Sequence, residues 1–207
     1  MQYTINRDNP CFPFLMADDW YSPEEETIVF KELDYFNSTK TYDNAKENCA
    51  FDEKNNKKAN NHRLYYDKVF HNKKYSFINQ KLDRIQKPEF HELITKAMPI
   101  GRVFHETNWD NTLINYYEDK QGYKSHYDTS TFTMLIFFYK QPKKFEGGDL
   151  WFEDSNITVK CKHNRMVIFP GYYLHQVNEV IMNNKDKNKG LGRYSITHFI
   201  SRTPETI

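Results

Sequence analysis

Two hydrophobic rhythms divide the chain near Pro99. Before it, apolar residues recur at helical spacing. Ser22-Pro23-Glu24-Glu25 offers a capping serine, a proline for the first helical position and a glutamate three residues on, so a helix is predicted there, running to about Asn37. Its apolar positions Ile28, Val29, Leu33 and Phe36 share one side, opposite Glu25, Glu26, Lys31 and Glu32, which describes a covering helix. From about Tyr75 to Ala97, Phe77, Ile78, Leu82, Ile85, Phe90, Leu93 and Ile94 keep that spacing across Pro88, predicting a broken or paired helix. The polar stretch from Asn44 to Asn61 predicts a mobile surface loop.

After Pro99 the period shortens to two, in stretches rich in β-branched and aromatic residues separated by polar or glycine-containing turns. Strands are predicted near 111–118, 123–128, 131–139, 148–153, 156–161, 165–170, 173–181 and 192–201, with Lys185 to Gly190 a solvated connection. Eight short strands without intervening helices predict an α+β, mainly β, jelly roll or barrel. One domain is expected, with helical support and loops over 1–100 and the β core over 101–207.

Composition narrows the function classes. A chain of 207 residues with a formal net charge of +1 has no global basic field to gather nucleic acid. Cys11, Cys49 and Cys161 are odd in number, far apart and without a CxxC pair, which indicates neither a disulfide framework nor a zinc ribbon. With no exported leader and no 18-residue apolar window, a cytoplasmic protein without a membrane span is expected. The abundance of Lys, Asn, Tyr and Phe points to an AT-rich source genome, a viral one included, and to no chemistry.

The only H-x-D of the chain is His126-Tyr127-Asp128. Residues two apart on a strand face one side, so both reach one ion, yet the motif alone is weak. His175, 47 residues downstream, completes a set of two histidines and one carboxylate, the pattern of non-haem Fe(II) sites with open positions. Further on, Arg193, Ser195 and Thr197 share one face of the last predicted strand. An inward arginine needs an anionic partner; no carboxylate of the sequence is an obvious mate, which favours a ligand carboxylate gripped bidentately with help from Ser195, while a salt bridge remains the plainer account.

Together His126-x-Asp128, His175 and Arg193-x-Ser195 resemble the iron- and 2-oxoglutarate-dependent dioxygenases, most closely their prolyl 4-hydroxylase-like branch. Asn115-Tyr116-Tyr117 ahead of Gly122-Tyr123, Glu146-Gly147-Gly148-Asp149-Leu150 and Asn164 to Pro170 follow in that family's order, so the resemblance covers about Leu113 to Ile200. It implies a double-stranded β-helix with Fe(II) on His126, Asp128 and His175. It also implies 2-oxoglutarate held through Arg193 and Ser195, with Tyr117 touching it and Leu150 in the pocket wall; Tyr116 competes with Tyr117 for that role. The implied activity couples O2 and decarboxylation of 2-oxoglutarate to succinate and CO2 with hydroxylation of a C–H bond in a peptidyl or free amino acid, with ascorbate an accessory. The loops around 44–74 and 140–147 are the expected substrate selectors.

Two rival readings stay open: a nucleic-acid base demethylase on the same fold, and a non-enzymatic cupin-like metal-binding protein. Against the first, Phe199 stands where such relatives place a second arginine, so nucleic acid is not the expected partner. His198 points away from the Arg193 face and is expected to be structural. Gly147-Gly148 is expected to form a tight turn, and the Phe132, Phe137, Phe138, Trp151 and Phe152 side chains to fill core.

Overall fold

The computed structural model describes residues 2–44 and 49–203. Helix α1 (Pro23–Ser38) begins with the full capping box: the Glu25 N–H donates to Ser22 Oγ at 3.3 Å, and the Ser22 N–H donates to Glu25 Oε2 at 3.0 Å. Val29, Leu33 and Phe36 are buried as expected, but Ile28 is exposed and Phe30 replaces it, lying against Phe138 and His163. The helix therefore turns its apolar stripe further round than Ile28 allows. Short helices α2 (Tyr66–Val69) and α3 (Phe77–Gln80) lead to α4 (Pro88–Ala97), where Pro88 starts the helix at its first turn, having no N–H to lose there.

Described strands are β1 (Gln2–Asn6), β2 (Phe14–Asp18), β3 (Asp43–Asn44), β4 (His62–Tyr65), β5 (Trp109–Tyr117), β6 (Tyr123–His126), β7 (Phe132–Phe138), β8 (Phe145–Gly147), β9 (Leu150–Phe152), β10 (Ile157–Val159), β11 (Arg165–Pro170), β12 (His175–Val177), β13 (Val180–Met182) and β14 (Arg193–Ser201). They form a large antiparallel sheet in the order β1-β2-β11-β7-β14-β5-β4-β3, a four-stranded sheet β10-β9-β12-β6, and the pair β13-β8. The second half follows the predicted strands closely. Three differences matter: residues 173–181 divide into β12 and β13, β8 is an added strand, and Asp128 lies in the turn beyond β6 rather than within it.

The first hundred residues are not only helices and loops, since they supply four strands to the large sheet. These were invisible to periodicity because β1 is a largely exposed edge and β4 buries Arg63, so neither shows clean alternation. Both faces of the large sheet are covered, which is why β7 is buried at every position. On one face Met134, Ile136, Phe138, Tyr194 and Ile196 meet α1 and α4; on the other Leu135, Phe137, Val167 and Phe169 meet Leu150, Phe152 and Val159 of the small sheet. Each such aliphatic or aromatic side chain contributes roughly 1.5–3 kcal/mol on burial. The candidate site residues His175 and Arg193 lie against this second layer, beside Phe169 and Phe137 respectively.

Of the loop expected over 44–61, residues 45–48 lie outside the described residues. The rest is strapped to β6 and is not a free surface segment. Ala59 pairs with Tyr123, the Lys124 N–H donates to the Lys58 carbonyl at 2.9 Å, and the Ala50 N–H donates to the Tyr123 hydroxyl at 3.0 Å.

Candidate active site

β6 and β12 are neighbours in register, with His126 directly opposite His175, so pairing of two short strands brings together residues 49 apart in sequence. Asp128 joins them from the turn after β6, where its N–H donates to the Gly171 carbonyl at 2.9 Å. His126 Nε2 lies 3.6 Å from Asp128 Oδ1, His175 Nε2 lies 3.5 Å from Asp128 Oδ2, and one ligand atom from each residue falls within 4.8 Å of the others. Among the described residues this is the one such group of three or more.

Backbone carbonyls fix the ring orientations. Nδ1 of His126 faces the Lys124 carbonyl at 2.9 Å, and Nδ1 of His175 faces the Tyr173 carbonyl at 2.7 Å. A carbonyl only accepts, so each Nδ1 carries the proton and each Nε2 presents its lone pair to the shared point. Burial, reinforced by His175 and by the Arg63 charge, holds His126 well below the usual histidine range, so it stays neutral. Neutral imidazoles and a carboxylate suit a divalent transition ion, and with three protein donors such an ion keeps open positions.

The three residues open onto a cavity of about 650 Å³. Its wall includes Tyr117, Leu150, Ser195 and Thr197, with Arg63, Asn115 and Thr133 as members that sequence patterning did not single out. Arg193 begins the same row on β14 as Ser195 and Thr197 but lies deeper, with no exposed surface. Its guanidinium sits 4.9 Å from the Tyr117 ring centroid and 5.0 Å from that of Phe137. None of its three nitrogens has a hydrogen-bond partner among the described residues. Burial raises the Tyr117 phenol and the Cys161 thiol, and the Arg193 charge offsets part of each rise.

Strand alternation separates the two candidate tyrosines. Tyr117 faces the cavity, whereas Tyr116 turns to the helical side, packs at a tilt against the Tyr194 ring, bonds Glu118 and accepts the Gly192 N–H at 3.1 Å. His198 is also on that far face, buried, with Nδ1 2.8 Å from Thr112 Oγ1, in the structural position expected of it. Gly147 and Gly148 form a turn with φ of 71° and 73°. A Cβ on Gly148 would stand 2.7 Å from Arg193 Cδ, so the missing side chain makes room for the arginine stem.

Comparison with known proteins agrees with this geometry. Residues 112–201 match the model of the 2OG-Fe(II) oxygenase superfamily. A PKHD-type hydroxylase of Delftia acidovorans is 31% identical over 80 residues, 32% of this chain and 35% of that protein. The alignment thus spans about a third of the length of that curated relative. Among solved structures, a Pseudomonas putida prolyl-4-hydroxylase superposes with a TM-score of 0.64 at 14% identity, covering 95% of this chain and 96% of that one. A Trichoplax adhaerens prolyl hydroxylase in complex with a hypoxia inducible factor peptide fragment gives 0.58 at 13%, covering 91% and 83%. A viral collagen prolyl hydroxylase from Paramecium Bursaria Chlorella virus-1, in a 2OG complex, gives 0.52 at 14%, covering 90% and 94%. At these identities the structural likeness concerns the fold. Among the described residues no helix is long and apolar enough to cross a membrane.

Proposed function

We propose, from the premise that this chain is a member of the 2OG-Fe(II) oxygenase superfamily, that it is a prolyl 4-hydroxylase-like hydroxylase of a peptidyl or free amino acid. The large and small sheets are then the two walls of a double-stranded β-helix. The observation that carries the reading is the convergence of His126, Asp128 and His175 on a cavity walled by Tyr117, Leu150 and Ser195, with the buried guanidinium of Arg193 packed behind that wall against the Tyr117 ring.

His126 Nε2, His175 Nε2 and an Asp128 oxygen would hold Fe(II). Bound together, Fe(II) and 2-oxoglutarate supply the oxidising chemistry: one oxygen atom of O2 goes to succinate, formed with CO2, and the other to the substrate C–H bond. The chain's own residues bind and orient. Arg193 receives the far carboxylate of 2-oxoglutarate as a charge-assisted pair, Tyr117 and Ser195 add hydroxyl contacts along the same wall, and Leu150 keeps that wall dry. The Nδ1 bonds to Lys124 and Tyr173 keep both imidazoles aimed while ligands exchange.

The test is aerobic incubation with Fe(II), 2-oxoglutarate and ascorbate over a panel of proline-containing peptides and free amino acids, following succinate and products one oxygen atom heavier. Succinate matched by hydroxylated product supports the reading. Formaldehyde release would move the protein to the demethylases, and folded, metal-loaded protein that makes no succinate with any substrate or alone would refute it.

A further inference from the structure

The carboxylate of Asp128 is itself held by a two-hydroxyl relay in the cavity wall. Thr133 Oγ1, on buried β7, donates to Asp128 Oδ2 at 2.6 Å, and Ser130 Oγ lies 3.0 Å from Thr133 Oγ1. A hydroxyl has one proton, so with Thr133 donating to the carboxylate, Ser130 must be the donor to Thr133. Both residues are buried, Thr133 almost completely.

The turn that carries the relay is fastened on both sides. The Asp128 N–H donates to the Gly171 carbonyl, the Gly171 N–H donates to the Thr131 carbonyl at 3.2 Å, and the Thr131 N–H donates to Ser201 Oγ at 3.1 Å. A Cβ at Gly171 would lie 2.1 Å from the Ser130 carbonyl oxygen, so the two turns touch backbone to backbone. Asp128 lies beyond the end of β6, with no strand pairing to set its side chain, and the relay does that work instead. Oδ2 is occupied by a protein donor, while Oδ1 has no hydrogen-bond donor among the described residues.

We propose that Thr133, backed by Ser130, is a positioning residue that clamps Asp128 so that the carboxylate offers one oxygen, Oδ1, to the metal. This rests on the metal reading of His126, Asp128 and His175. A carboxylate free to turn would offer both oxygens and take up a position that the chemistry needs open. Partners of this kind that orient a ligand typically change metal affinity 10–100-fold when removed.

The test uses Co(II) as an anaerobic, spectroscopically visible probe in the full chain, comparing wild type, Thr133→Val, Thr133→Ser and Ser130→Ala. Thr133→Val keeps the shape and loses the donor, and the expected result is about a tenfold weaker Co(II) affinity with an altered visible spectrum. Melting of its metal-free form should stay near wild type. Thr133→Ser should restore both affinity and spectrum, and Ser130→Ala should weaken binding less than Thr133→Val. Thr133→Val with wild-type affinity and spectrum would overturn the proposal. Should that variant not fold, wild-type behaviour of Ser130→Ala together with failure of Thr133→Ser to bind would overturn it equally. Wild-type protein that binds no Co(II) would overturn the metal reading, and this inference with it.

Discussion

Arg193 is the residue whose replacement separates stability from function most cleanly. Its guanidinium is fully buried, its three nitrogens lack hydrogen-bond partners among the described residues, and it lies against the ring faces of Tyr117 and Phe137. An uncompensated buried charge costs roughly 3–5 kcal/mol, and two desolvated cation–ring contacts return about 1–2 kcal/mol each. Arg193→Met keeps the stem and removes the charge, so without co-substrate it should stabilise the protein by about 1 kcal/mol at the midpoints of those ranges. At roughly 2–4 °C per kcal/mol for a domain of this size, the melting temperature should rise by about 2–4 °C. With a divalent ion present in both melts, anaerobic 2-oxoglutarate reverses the order. At one hundred times its wild-type dissociation constant it should stabilise wild type by about 2.7 kcal/mol more and the variant, which holds it more weakly, by much less. The assay is a thermal melt of both proteins with and without co-substrate. A destabilised Arg193→Met that still gains the full shift would refute the reasoning, because the guanidinium would then be satisfied by the fold and irrelevant to the ligand.

Three further outcomes follow from the same structure. Gly148→Ala places a Cβ 2.7 Å from Arg193 Cδ at a φ of 73°, so it should cost about 1–2 kcal/mol in denaturant unfolding and raise the 2-oxoglutarate requirement; wild-type values of both would contradict the packing account. Burial holds His198 down at about 3, so its protonation favours the unfolded chain. Its contribution is complete above the unfolded value near 6.5 and is lost as pH falls towards 3, by about 1.4 kcal/mol per unit. His198→Gln should flatten that part of the acid denaturation profile, and an unchanged slope would exclude it. Ser22→Ala removes the cap of α1 and should cost about 1 kcal/mol in denaturant unfolding; no loss would mean the helix start is held by tertiary contacts alone.

Much of the fold was legible because local chemistry and final environment coincide. Ser22, Pro23 and Glu25 name a helix start whatever surrounds them, and period-two patterning reports strands wherever one face is buried. The same logic fails where tertiary contacts decide. β1 and β4 have polar residues in paired strands, and the half-buried Phe30 rather than Ile28 packs inward because of where Phe138 and His163 lie. His126, Asp128 and His175, which the structure brings together, were legible as a candidate group from residue type and order. The choice between Tyr117 and Tyr116 awaited knowledge of which face of β5 meets the cavity. Thr133 and Ser130 left no signal, since a threonine in an apolar strand reads as packing until its carboxylate partner is seen.

The central claim, a metal on three residues with 2-oxoglutarate reaching Arg193, is tested most directly without knowing the substrate. Fe(II)-loaded protein is titrated anaerobically with 2-oxoglutarate while the visible metal-to-ligand charge-transfer band of the chelate is followed, beside His175→Ala and Arg193→Ala. The account predicts a saturable band in wild type, none in His175→Ala, and one in Arg193→Ala that needs far more co-substrate. Folded, iron-loaded wild type with no band, or an Arg193→Ala curve that overlays wild type, would contradict it.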